Sequence, residues 1–575
     1  QGLANTAWAF VKAGVSAPFL FAAIAEEAPK KMAAFKSQEL ATLAWAFSTA
    51  NFYAPALFAA VALEAPQKIA NFNAQNLSKI AWAYSHAGVE APDLYDAIAA
   101  EAPHKLDSFT PQALANTAWA FSKVGANAPE LAELVAAQAC RRIQGFNEQA
   151  LANTVWAAAN TGADAPDLFD AVAVEAVRHM ESFSPQALAN TVWAFAKAGV
   201  RAPLLFEAVA EEAPKKLHAF KAQNLANMVW AYSSAGLAQS HQPLFEAIAA
   251  ESVKKMGDFK AQELANTAWA YSVARFEAGE LFEAVEAEAV RKMATFSPQN
   301  LANVAWSFSR AGFPAPLLFE AVAAAALVDL SAFTPQSLDN VAWAFAKAAF
   351  PAPLLYRAVS GEAVKKMGAF NSLELSGLAW AFAKVGSPAP RLFQAIASEA
   401  VKKMGTFTSN ELSNLVWAFS KAGVSAPVLF EKAALRAIEV MHSFTAQNVS
   451  NTGWAYAKAK FEAPVLFESM ASRATATLET FNAQALANTA WAYAKAGVQA
   501  PGLFENVAIQ AVKKMSTFGP QALSTTVWAY SAAKVSTFNA EKLYAAIAKE
   551  APEKIERFSE QHLANTAWAF AKAGF

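Results

Sequence analysis

The sequence predicts an all-α protein: a right-handed α-solenoid superhelix of antiparallel two-helix repeats with a 37-residue period. Three observations carry this reading. All sixteen tryptophans, from Trp8 through Trp193 to Trp568, hold one place in a repeating pattern, and thirteen of the fifteen intervals between them are 37 residues. A fixed period of this size marks stacked supersecondary units, none of which buries its apolar face alone. Within each period a stop signal and a start signal divide two helical stretches, as at Gly199 and Pro203. No strand signal occurs along the chain.

One period, residues 183–220, shows why each element forms. Ser184 supplies an N-cap and Pro185 a first helical residue, which opens the A helix. Gly199 closes it in a left-handed cap. Pro203 opens the B helix, expected to run to about Phe220. The signals recur: Ser, Thr or Asn holds the cap place in eleven of fifteen repeats, Gly the stop place in eleven of sixteen, and Pro opens the B helix in register in twelve. The two longer Trp intervals, 39 and 40 residues, put insertions near Gln239 to Gln242 and Lys534 to Asn539. Both fall between an A and a B helix, where a solenoid tolerates extra residues.

The repeat overrides the several globular domains that 575 residues would otherwise suggest. Residues 1–575 read as a single solenoid of about fifteen full repeats and a final half repeat. The chain starts and stops inside the pattern without a polar capping repeat, so it reads as a piece of a longer protein. Its formal charge is −1, whereas nucleic-acid binders are often strongly basic, so any basic stripe has to be local. The lone Cys140 excludes internal disulfides and a cysteine-rich metal site. The seven histidines share no phase, so no metal is expected. No uncharged apolar run is long enough for a bilayer. Without a glycine-rich phosphate loop, a nucleophile elbow or a cofactor motif, no catalysis is expected.

Helical geometry separates the faces of the A helix. At about 100° per residue from Trp193, Leu188 and Phe195 lie near 200–220° and face the B helix. Small residues on both flanks, such as Ala189 and Ala194, let neighbouring A helices approach. An arc from about 20° to 60° remains outward and holds Gln186, Asn190 and Lys197, with Trp193 at its edge. The amide row comprises Asn5, Asn116, Asn153, Asn190, Asn227, Asn266, Asn303, Asn340, Asn414, Asn451, Asn488 and Asn565. Thr42, Lys79, Gly377 and Thr525 interrupt it. The cation row comprises Lys12, Lys123, Lys197, Arg310, Lys347, Lys384, Lys421, Lys458, Lys495 and Lys572. If the A helices line the inner wall, a concave groove carries parallel rows of amide, cation and tryptophan edge.

Each row has two readings. The amides, which both donate and accept, could bind a polymer or bond one repeat to the next. The tryptophans could stack on bases or fill the space between adjacent A helices. The cations could hold phosphates or compensate the helix dipole. A second basic row near the end of the B helix includes Lys215–Lys216 and Lys402–Lys403. Acidic residues precede it, which reads as dipole compensation and i,i+4 pairing on a solvated face.

The motif Q-x-L-A-N-T-x-W-A-F-A-K-A-G is clearest as QALANTAWAFSKVG from Gln112, QALANTVWAFAKAG from Gln186 and QALANTAWAYAKAG from Gln484. It resembles the octotricopeptide and heptatricopeptide repeat proteins, some of which carry a RAP domain. It is also similar to the helical-repeat subunits of trypanosome RNA-editing complexes. The resemblance implies an RNA-binding α-solenoid of mitochondrial or chloroplast gene expression, acting in RNA processing, stability, editing or translation. No RAP domain lies within these residues.

Single-stranded RNA along the groove is the leading expectation, with asparagines on base edges and lysines on phosphates. At about one nucleotide per repeat the footprint is roughly 15 nucleotides. Sequence discrimination needs variable places. Two vary: the one six residues before Trp (Glu39, Asn76, Ala113, Asn224, Glu263, Asn300, Glu411) and the cation place (Thr49, His86, Asn160, Ser234, Val273). The alternative is a protein–protein scaffold holding an extended peptide or partner along the same groove, which suits the near-zero charge. A structural spacer is a third reading.

Overall fold

A computed structural model describes residues 1–574. Among them every regular element is an α-helix or a short 3-10 helix. The chain divides into two compact units, Gln1–Glu288 and Ala289–Phe575. In the first, A helices run from Gly2–Lys12 to Ala261–Ala274; in the second, from Pro298–Ala311 to Glu560–Ala573. Each A helix but the last, Glu560–Ala573, is followed by an antiparallel B helix, and within each unit the A helices stack directly on one another. The stacked-hairpin prediction holds.

The local signals act as expected in most repeats. In the period at 183–220, the A helix spans Pro185–Ala198, and the Ser184 side chain accepts a hydrogen bond from the Ala187 amide. Gly199 follows at φ 68°, a left-handed stop. All sixteen stop places share this conformation, including the five without glycine: Asn51, Arg275, Ala349, Lys460 and Lys534. The stop is therefore dictated by the stack, and glycine only makes it easy. At Lys36, Lys221 and Lys260, which cannot cap through a side-chain acceptor, the side chains of Glu39, Asn224 and Glu263 turn back to accept the cap-residue amide instead.

The B helix is shorter than expected. It spans Pro203–Lys216 and gives way to a 3-10 turn, Leu217–Ala219, before Phe220 extends into the next A helix. The same tightening recurs after the other B helices, for example at Met256–Asp258 and Met404–Thr406. The insertions lie where expected. One forms the 3-10 turn Ala238–Ser240, and the other precedes the B helix Phe538–Glu553.

The core lies between the A and B layers. Leu188, Phe195, Ala189 and Ala194 are fully buried. An aromatic pair forms its centre in most repeats: Phe169 meets Phe195 at 5.0 Å between ring centroids, Phe206 meets Tyr232 at 5.1 Å, and both are edge-to-face. Where the A-helix partner is tyrosine, its hydroxyl donates to a carbonyl of the preceding B helix, as from Tyr232 to Phe206 at 2.6 Å. Burial pushes such phenols, Tyr232 and Tyr271 among them, above their ordinary range, so they remain neutral donors.

Candidate functional site

The outward arc of the A helix is where sequence phasing put it. The glutamines at its start are exposed, from Gln38 to Gln521. Every member of the cation row is exposed: Lys12, Lys123, Lys197, Arg310, Lys347, Lys384, Lys421, Lys458, Lys495 and Lys572. Asn5 is exposed and the other eleven asparagines are half-buried. Asn116 and Asn488 accept hydrogen bonds from Gln112 and Gln484 of their own helices, at 2.9 and 2.8 Å. The side chains of Asn153, Asn190, Asn227, Asn266, Asn303, Asn340, Asn414 and Asn451 meet no protein partner among the described residues. The amide row is thus no ladder between repeats, and its hydrogen-bonding capacity is unspent.

Repeat-to-repeat polar bonds occur two turns further on, at the cation place. Lys197 Nζ donates to Asn160 Oδ1 at 2.8 Å, and Asn160 donates to Ser122 Oγ at 3.1 Å. His86, in the cation place, bonds Ser48 through Nδ1 at 3.1 Å and stacks on Trp82. Burial, then the Lys123 charge, lowers its imidazole pKa below the ordinary value. Burial likewise lowers Lys123 and Lys197 below the usual ammonium range. Lys79, standing in the amide row, is lowered by burial first and by the charge of Lys12 second.

The tryptophans form rows. Trp119, Trp156, Trp193, Trp230 and Trp269 follow one another at 6.1–6.5 Å between centroids. In the second unit Trp417, Trp454, Trp491, Trp528 and Trp568 do so at 6.3–6.5 Å. The rings inside the rows are half-buried. Lys123, Lys197 and Arg310 sit over the ring of the tryptophan one turn earlier, at 4.7, 4.8 and 5.1 Å. At Trp119, Trp193 and Trp306 a base reaching the indole face would have to displace a cation.

Two readings change. The place six residues before Trp varies because it serves the helix start: the side chains of Glu39, Asn224, Glu263, Asn300 and Glu411 all accept the cap-residue amide. The cation place alone remains a variable, outward position. Lys30 and Lys31 are both exposed, whereas in the later B-helix doublets only the first cation is solvated. The second reaches back to the preceding repeat: Lys216 donates to the carbonyls of Glu181 and Phe183 at 2.6 and 2.9 Å while paired with Glu212 at 2.9 Å. Lys68, Lys105, Lys255, Lys366, Lys403, Lys514 and Lys554 repeat this reach. Each satisfies carbonyls left open where the 3-10 turn ends. Spacing alone does not reveal this, since the acceptors lie 33 to 38 residues back.

Fold and surface together define an α-helical repeat protein whose A helices present a polar, cation-edged strip in each unit. The family profile of RNA-editing substrate-binding complex 6 protein (RESC6) matches residues 2–242 and 354–575, more than half of the sequence. The chain belongs to that family. The match supports the resemblance to editing-complex subunits, and lends none to the octotricopeptide and heptatricopeptide one. A search of curated proteins finds no match. Among solved structures, Kap121p bound to Pho4p is similar at 11% identity and TM-score 0.24, covering 100% of this chain and 80% of that one. A homology model of the AP-3 complex gives 11% identity and 0.27, with 95% and 96% covered. A circular tandem repeat protein gives 12% and 0.13, with 100% and 96% covered.

Proposed function

We propose that the chain binds single-stranded RNA along the A-helix strips as a non-catalytic member of an RNA-editing substrate-binding complex. One observation carries this: a periodic row of half-buried asparagines with unspent amides runs beside a row of exposed cations. An amide both donates and accepts, as a base edge requires, and lysines neutralise phosphates without regard to sequence. At about one nucleotide per repeat, as in other helical-repeat readers, each unit would hold roughly seven or eight nucleotides. His86, Asn160 and Ser234 in the cation place are where sequence preference would enter. The family and the sequence motif supply the editing context, and the same resemblance suggests a mitochondrion or chloroplast.

The test is RNA affinity against salt for the full chain and for a variant with Lys12, Lys123, Lys347 and Lys495 changed to alanine. The variant should bind more weakly at low salt. The slope of log affinity on log salt should fall by about 0.7 for each phosphate that is no longer neutralised. Equal affinity and slope would remove the strip from consideration. The formal charge of −1 favours a second reading, an extended peptide on the same asparagines. Competition between RNA and acidic or basic peptides separates the two.

A further inference from the structure

The aromatic pair at the centre of each repeat follows a fixed rule: a ring on the B helix meets a ring 26 residues later on the next A helix. In fourteen of fifteen such pairs of places both residues are aromatic. In the remaining one both are alanine, Ala132 and Ala158. A cavity of about 600 Å³ opens there, lined by both alanines. Clefts of similar size lie between the loops of other repeats, but they end on the rings. The one at Pro464–Asn506, also about 600 Å³, is floored by Phe467 and Tyr493. At Ala132 and Ala158 the floor is gone, and the cavity runs inward to Leu131, Val135, Thr154 and Leu168, all of them buried.

We propose that this cavity is a binding pocket for a small planar aromatic molecule of one or two rings, neutral or cationic. The shape argument is that the fold holds two rings edge-to-face at this point in thirteen other repeats, with centroids 4.9–5.6 Å apart. Loss of both at one interface leaves an apolar slot of matching form, open at one end, within the size range of small-molecule sites. The charge argument lies at the mouth. Glu133 and Asp164 line it, Asn127 and Asn160 offer amides, and no lysine or arginine belongs to the lining. Electrostatic complementarity therefore selects against carboxylate and phosphate ligands. Asn160 also bonds Lys197 of the strip, so an occupied pocket touches the cation place directly.

The experiment titrates the full chain with indole, tryptamine and indole-3-acetate, followed by calorimetry and by NMR of methyl-labelled Val135 and Leu168. Saturable binding of indole and tryptamine is expected, with indole-3-acetate at least tenfold weaker than tryptamine. In Ala132→Phe/Ala158→Phe, which restores the pair, binding should be lost while RNA affinity is kept. Absence of saturable binding, or equal binding by the filled variant, overturns the pocket. Equal affinity for tryptamine and indole-3-acetate overturns the charge selection. Should the double variant fail to fold, Ala158→Tyr alone, which copies Tyr232, fills the slot, and binding must likewise be lost.

Discussion

Lys403 Nζ donates to the carbonyl oxygen of Phe370, 33 residues earlier, at 2.7 Å. It also reaches the Gly368 carbonyl at 2.7 Å and pairs with Glu399 at 3.1 Å. Its neighbour Lys402 is exposed and touches only Glu399. Lys403→Met should therefore lower stability by roughly 1–3 kcal/mol, the cost of leaving acceptors unpaired. Lys402→Met should stay within about 0.5 kcal/mol, as surface changes do. Denaturant titration of the two variants checks the contrast.

The stop place offers a second test. Arg275 and Ala349 sit at φ 53°, left-handed values that a side chain disfavours by roughly 1–2 kcal/mol. Arg275→Gly and Ala349→Gly should each stabilise, by about 0.5–1 kcal/mol after the unfolded-state entropy of glycine is subtracted. Gly199→Ala should destabilise by about the same amount, through the backbone alone, because a Cβ there meets nothing within 4 Å. Thermal unfolding of single variants reads all three.

Asp339 and Gly377 form a matched pair in adjacent repeats. A side chain at 377 would collide with the Asp339 carboxyl, which explains why the amide row is broken there. Gly377→Asn should destabilise alone and be tolerated once Asp339 is alanine, a coupling that a double-mutant cycle measures.

The same aspartate sets a pH dependence. Asp339 Oδ1 has no hydrogen-bond partner, and burial, reinforced by the Glu374 charge, holds the carboxyl well above its usual range. The folded state thus keeps a proton that the unfolded state releases near pH 4. Its contribution is fully present below that pH and is lost as pH rises toward the raised folded value. Asp339→Ala should be more stable than the wild type at pH 7, by roughly 1–3 kcal/mol. The margin should shrink on acidification to pH 4, as denaturation at several pH values will show.

The amide row predicts a separation of binding from stability. Asn190, Asn227 and Asn266 bond nothing in the protein, so changing all three to alanine should leave the melting temperature within about 2 °C. RNA affinity should fall measurably at fixed salt. A melting temperature that dropped instead would make the asparagines structural.

The period, the two helices per repeat, the left-handed stops and the outward arc were legible in the sequence because each follows from spacing along one helix. What spacing missed is what crosses repeats. The doublet at Lys215–Lys216 looks like two solvated cations, yet one of them closes the turn of the preceding repeat. Repeats without the lysine confirm the logic. Where Val440 and Thr477 take its place, Arg436 and Arg473 one turn earlier replace the usual glutamate and reach the carbonyls of Phe407 and Phe444, at 3.3 and 2.9 Å. The variable place at Glu39 and Glu411 misled for a related reason. It answers to the residue that begins its own helix.

The spacing of the indoles gives the protein a built-in optical probe. Rings some 6 Å apart and inclined by 24–38° share excitation, so absorption at one of them is felt along the row, and their near-ultraviolet dichroism belongs to the array rather than to single chromophores. A strand settling beside Trp119 or Trp193, and drawing Lys123 or Lys197 off its ring, would alter that collective signal without any label attached.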